Sequence, residues 1–215
     1  MRSVKLWNTV FTVAIFLFYA NAAYTIYCDV GFYDWNFQNA LPTANVSPFM
    51  FTMAVLIHIF PSKVKRHFYL LISLLSVGML LSAIFNCIYN ASIGYKFHPH
   101  FICDYISHVL LSLWGVYLIK SKQVRLNLKN GTISASIIVG VALVMLVLNL
   151  IFDTAFFGLS LYGKHSIYNN RLTESSYLSA ALYFVGLLCV LIMGFVYSCL
   201  LLREKAWKNN EEGDR

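Results

Sequence analysis

Apolar runs near the length of a bilayer crossing recur six times in this chain, at about 8–27, 46–60, 68–89, 101–119, 132–154 and 176–202. A helix gains only about 1.5 Å per residue, so crossing the hydrocarbon core takes about 20 of them. In lipid every backbone N–H and C=O must also be satisfied inside the structure, which leaves helices as the natural form for runs of this length. The pattern predicts an all-α fold, a polytopic membrane protein built as a six-transmembrane-helix bundle. Composition agrees: 12% of the residues are charged, about half the share of a soluble domain. The second run is the shortest. Pro48 stands at its start, where a first helical turn tolerates a residue without an N–H, so this run is expected to be tilted or broken.

The basic residues fall between the runs, and they fall on one side. Arg2 and Lys5 precede the first run; Lys63, Lys65 and Arg66 follow the second; Lys120, Lys122, Arg125 and Lys129 follow the fourth; Arg203, Lys205, Lys208 and Arg215 follow the sixth. That is 13 of the 16 Lys and Arg, with only Lys96, Lys164 and Arg171 opposite. The positive-inside rule then places both termini in the cytoplasm of a cell-membrane protein, as an even number of crossings requires. The net charge of +7 is explained by this topology and gives no support to nucleic-acid binding. Residues 1–205 read as one membrane domain, and 206–215 as a short polar cytoplasmic tail. A cleavable signal peptide is the competing expectation for the first run, since Arg2, Lys5 and an apolar stretch lead to Ala20-Asn21-Ala22; the apolar run continues to Ile26, which favours a retained helix. The five cysteines form no CxxC pair, and a disulfide among Cys28, Cys87 and Cys103 is one expectation beside that of buried free thiols.

Ionisable groups are costly within a span, so each one marks a candidate site. His100, Asp104 and His108 repeat at i, i+4, i+8 in "FHPHFICDYISH", which lines them along one face of the fourth helix. His108 would lie about 10 Å below the start of that helix. Asp104 can orient the His108 imidazole, as the partner of a general base or of a metal ligand does. Asn149 and Asp153 share the same spacing at the end of the fifth run, as do Asn86 and Asn90 at the end of the third. These three helix ends are expected to converge on an outward-facing polar pocket, with His108 and Asp104 as the catalytic candidates and His100, Asn149, Asp153 and Asn86 as ligand-binding candidates. The alternative for each is a hydrogen bond joining two helices. The basic half of the bundle is expected to contain almost no polar side chains.

No Walker A, GxGxxG, GxSxG or HExxH motif occurs, and neither does an arginine ladder or a carbonyl filter sequence. Nothing in the chain calls for a cofactor or a metal.

The stretches "GYKFHPHFICDYISHVLLSLWGVYLIKSKQVR" and "LNLIFDTAFFGLSLYGKHSIYN" resemble the back half of the YwaF-like bacterial integral membrane proteins, over roughly residues 65–170. In that family a Pro-His-Phe precedes a helix with an inward His, and a later helix ends in an Asn-rich aromatic turn. Pro99-His100-Phe101, His108 and the stretch from Asn149 to Tyr168 are the matching positions. The family is distantly similar to an animal transmembrane acyltransferase acting on phospholipids, so the resemblance implies lipid-related chemistry. One departure is clear. Where the family has Leu-Pro-Leu-His-Leu-Cys, this chain has "ANVSPFMF" at 44–51, so thiol-based acyl transfer does not carry over.

Two functional classes follow. One is a binding or accessory protein whose pocket holds a lipid headgroup, a small polar ligand or a partner membrane subunit. The other is a membrane-embedded acyltransferase or hydrolase that uses the His108–Asp104 pair. For that second class Ser107, Ser112 and Cys103 are the nearby nucleophile candidates.

Overall fold

The computed structural model describes residues 2–28, 46–92, 99–152, 159 and 176–213. Their secondary structure is helical throughout: α1 (Arg2–Cys28), α2 (Val46–Leu56), α3 (Ser62–Ser92), α4 (Pro99–Lys120), α5 (Leu128–Phe152) and α6 (Ser176–Gly213). All but α2 are long and apolar enough to cross a membrane. The run at 46–60 gives a helix of only 11 residues, about 16 Å long. Prolines delimit it. Pro48 lies in its first turn, and Pro61 biases Phe60 away from helical geometry, so the chain turns at Ile57–Phe60 before α3 begins.

The outer faces are apolar. Leu143, Val144, Val147 and Ile151 on α5, with Leu182, Val185, Leu188 and Ile192 on α6, are all exposed. Only 17% of the α5 and α6 spans is buried inside the protein. A contiguous apolar exterior of this extent suits lipid and is foreign to a soluble monomer. The central helix is α3, which buries Leu70, Leu71, Ile72, Leu74 and Leu75 and packs against α4, α5 and α6.

Helix directions follow from which residues meet. Trp7 and Phe11 of α1 pack on Tyr117 near the end of α4, while Asn21 near the end of α1 donates to Cys103 near the start of α4; the two helices are antiparallel. Ser112 of α4 donates to the Ser76 carbonyl, and Ser73 of α3 donates to the Gly115 carbonyl, so α3 and α4 are antiparallel too. Gly194 of α6 lies on Leu74, and Gly78 faces Val190, which makes α6 antiparallel to α3. His67 and Ser134, near the starts of α3 and α5, share a 3.2 Å hydrogen bond, so those two run in parallel. The starts of α1, α3 and α5 and the ends of α4 and α6 therefore share one end of the bundle. This basic end carries Lys63, Lys65, Arg66, Lys120, Lys122, Arg125 and Lys129. The return from α1 to α3 includes α2, which starts beside the middle of α4 and ends near the basic end, where His58 bonds Thr12 of α1.

Lipid is as apolar as leucine, so close backbone approach and interhelical hydrogen bonds must hold such helices together. Gly115 provides one approach: a Cβ there would stand 2.7 Å from the Ser76 Cβ and 2.9 Å from the Ile72 carbonyl oxygen. Gly194 provides another, against the α3 backbone, while Gly186 faces open space. The basic half is also more polar than its sequence suggests. Asn8, 6% exposed, donates to Gln123 at 2.7 Å and Tyr69 at 3.2 Å, and its carbonyl accepts from the Trp114 indole at 3.0 Å. These four residues come from separate regions of the chain with no common spacing, so only the packed bundle reveals them as one node. Cys87, Cys103, Cys189 and Cys199 are free thiols, so Cys87 and Cys103 form no disulfide; the Cys28 side chain lies outside the described residues.

Candidate functional site

The second polar centre lies near mid-bundle on α4. His108 is nine residues, or about 13 Å along the axis, from the start of α4 at Pro99. The helical i, i+4 relation brings its Nδ1 to 2.8 Å from the carbonyl oxygen of Asp104 and 3.5 Å from the Asp104 carboxylate Oδ1. The His108 side chain is 4% exposed and that of Asp104 is 38% exposed. The carboxylate thus marks the accessible side of the centre, one turn nearer the far end.

A carbonyl oxygen only accepts, so the hydrogen bond to Asp104 requires a proton on Nδ1. In the neutral imidazole Nε2 then carries a lone pair. The group facing that lone pair is the hydroxyl of Ser47, with Oγ 2.9 Å from Nε2. Ser47 therefore donates to His108, and among the described residues its alternative acceptor is the weaker sulfur of Met79 at 3.8 Å. The result is a line of groups: Ser47 hydroxyl, His108 imidazole, Asp104. The near partner of Nδ1 is the Asp104 backbone, with the carboxylate close enough to stabilise an imidazolium electrostatically.

Local structure explains why Ser47 is there. Pro48 fixes the start of α2, and the Pro48 carbonyl is bonded by Thr52 within that turn. The helix thus begins abruptly beside the middle of α4, with Ser47 at its tip. Phe51, one turn later on the same face, sets its ring edge-on to His108 at a centroid distance of 5.2 Å and an interplanar angle of 89°. Tyr19 of α1 backs Phe51 at 5.4 Å. Three helices hold the imidazole in one orientation, walled by aromatic rings.

The nucleophile candidates expected from sequence are engaged elsewhere. Ser107 donates to the Asp104 carbonyl. Ser112 donates to the carbonyls of Ser76 and His108. The buried Cys103 thiol accepts from Asn21. Ser47 was missed because it lies 61 residues from His108, in a short run whose depth no hydropathy pattern reports. The one available signal was Ser-Pro opening an apolar helix, which puts a hydroxyl at a helix tip.

Of the other expected site residues, Asn149 is 2% exposed and donates to the Leu159 carbonyl at 2.6 Å. That bond ties the end of α5 to buried Leu159. Asp153 and the side chains of His100, Asn86 and Asn90 lie outside the described residues. Among the described residues, no three His, Cys, Asp or Glu side chains converge as metal ligands. No family model, curated protein or solved structure matches the chain.

Proposed function

We propose that this protein is a multi-pass enzyme of the cell membrane that acts on an ester-linked lipid, with His108 as general base and Asp104 as the group that orients it. The observation that carries this reading is the oriented imidazole. Burial, the fixed Nδ1 proton and the 2.9 Å approach of a hydroxyl to Nε2 are what proton abstraction requires of a base. A helix-joining hydrogen bond needs only one of these. The surroundings favour a lipid, because the centre sits in a bundle whose outer faces are apolar and so meets ester-linked lipids before any water-soluble substrate. The YwaF-like resemblance implies the same class of chemistry. In this reading all six helices are embedded, α2 lies on the return from α1 to α3, and both termini are cytoplasmic by the positive-inside rule. Asp104 then lies toward the outer leaflet.

The test is turnover. Purified protein in nanodiscs of phosphatidylcholine and phosphatidylglycerol should release lysophospholipid or fatty acid, followed by mass spectrometry. His108→Gln should lower the rate about 10²–10⁴-fold, the usual contribution of a positioned base, with the melting profile retained. A wild type without turnover, carrying a co-purified lipid that His108→Gln loses, would return the protein to the binding class.

A further inference from the structure

The geometry points to Ser47 as the nucleophile of this centre, attacking the acyl carbonyl of a lipid ester to form a covalent acyl-serine. This inference rests on the enzymatic reading above and adds the identity of the attacking atom and the order of bond changes. Three observations support it. First, Ser47 Oγ is 2.9 Å from His108 Nε2, and the Asp104 carbonyl on Nδ1 makes Nε2 the acceptor of that bond. A serine hydroxyl is a poor nucleophile alone and becomes a good one when a base takes its proton as it attacks. Second, Ser107, Ser112 and Cys103 each satisfy another helix group and do not reach Nε2. Third, Ser47 lies at the tip of a broken helix and is half-buried. Its hydroxyl proton has little competition for His108, since the alternative acceptor, the Met79 thioether at 3.8 Å, is distant and weak. Nucleophile, base and orienting residue are recognised by such geometry on any fold and in any chain order.

The steps balance without an added redox partner. Ser47 Oγ forms a bond to the acyl carbon as its proton passes to His108 Nε2. The carbon–oxygen bond to the lipid alcohol then breaks, and Nε2 returns the proton to the departing oxygen. The second half uses water or the hydroxyl of a second lipid. Its oxygen bonds to the acyl carbon, its proton passes to Nε2, and the Ser47–acyl bond breaks with that proton restoring the hydroxyl. Hydrolysis and transfer differ only in this acceptor. Throughout, the Asp104 carboxylate at 3.5 Å stabilises the transient imidazolium.

The experiment joins a covalent probe to the turnover assay. Wild-type protein in the same nanodiscs is treated with a long-chain alkyl fluorophosphonate, which phosphonylates a base-activated serine with loss of fluoride. Peptide mass spectrometry then locates the adduct. The expected result is a single adduct on Ser47, absent in Ser47→Ala and at least 100-fold slower to form in His108→Gln. Ser47→Cys should be alkylated by iodoacetamide at that position faster when His108 is present than in the Ser47→Cys/His108→Gln double variant, because a base beside the thiol raises its thiolate fraction; that difference shows the helix tip still seated against His108. Turnover by wild type with no adduct, and with Ser47→Ala as active as wild type, would overturn the inference and leave His108 activating water directly. No turnover and no adduct would overturn the enzymatic reading and this inference together.

Discussion

Gly194→Val should prevent the bundle from closing. A Cβ at this position would fall on the carbonyl oxygen of Leu74 and within 2.6 Å of its carbonyl carbon. The obstacle is helix backbone, which cannot rotate away as a side chain can, so α6 would have to move off α3 by more than an ångström along its length. That separation removes the van der Waals packing that substitutes for a hydrophobic drive between helices in lipid. Overpacking in a soluble core costs about 1–3 kcal/mol, occasionally more, and a backbone obstacle belongs at the upper end. The variant should purify mainly as aggregate by size-exclusion chromatography in mild detergent. Gly186→Val is the matched control on the same helix. No atom lies within 4 Å of a Cβ there, so its elution should match wild type.

The next largest effect is expected at Trp114. Its side chain is fully buried, stacks near Phe11 at 6.3 Å, meets Tyr69 edge-on at 5.9 Å, and donates its indole N–H to Asn8. Trp114→Ala leaves a cavity where α1, α3 and α4 meet, and it strips one partner from a buried amide. Removal of a buried aromatic costs about 3–5 kcal/mol in soluble cores, and loss of the indole donor, which leaves the Asn8 carbonyl the longer 3.5 Å bond from Gln123, adds about 0.5–1.5 kcal/mol. Trp114→Phe separates the two terms, because it keeps most of the ring and loses only the donor. The ordering wild type, Trp114→Phe, Trp114→Ala in thermal melts, with the second step the larger, is the expected result. Equal melting temperatures for Trp114→Phe and Trp114→Ala would assign the whole effect to the Asn8 hydrogen bond.

These two positions also show the limit of hydropathy. Gly194 and Trp114 sit in runs that read as uniformly apolar. In water, a helix betrays its buried face by an apolar stripe. In lipid both faces are apolar, so the stripe disappears, and the contact face is marked only by small residues and scattered polar atoms. Gly186 and Gly194 look alike in sequence, yet one meets a backbone and the other nothing. Asn8, Tyr69, Trp114 and Gln123 follow the same logic, each unremarkable in its own segment and joined only in the packed bundle.

The candidate site divides in the same way. Asp104 and His108 were legible as a pair, because residues four apart on a helix must be neighbours whatever the helix packs against. The basic clusters were legible as one end of the bundle, because loop charge records membrane orientation and not packing. The helices beyond α2 were legible because the bilayer imposes their length. The short second run and Pro48 already foretold that α2 would be tilted or broken, but the sequence could not report that it would start beside the middle of α4, since that depends on how α2 packs against its neighbours. It could not report the Ser47–His108 bond, which depends on the depth of α2 and the rotation of α4 about its axis. Local backbone geometry and the thickness of the membrane determine what lies along each helix. Depth and rotation, fixed by close packing at residues such as Gly115 and Gly194, decide which side chains meet across helices, and only the tertiary structure supplies them.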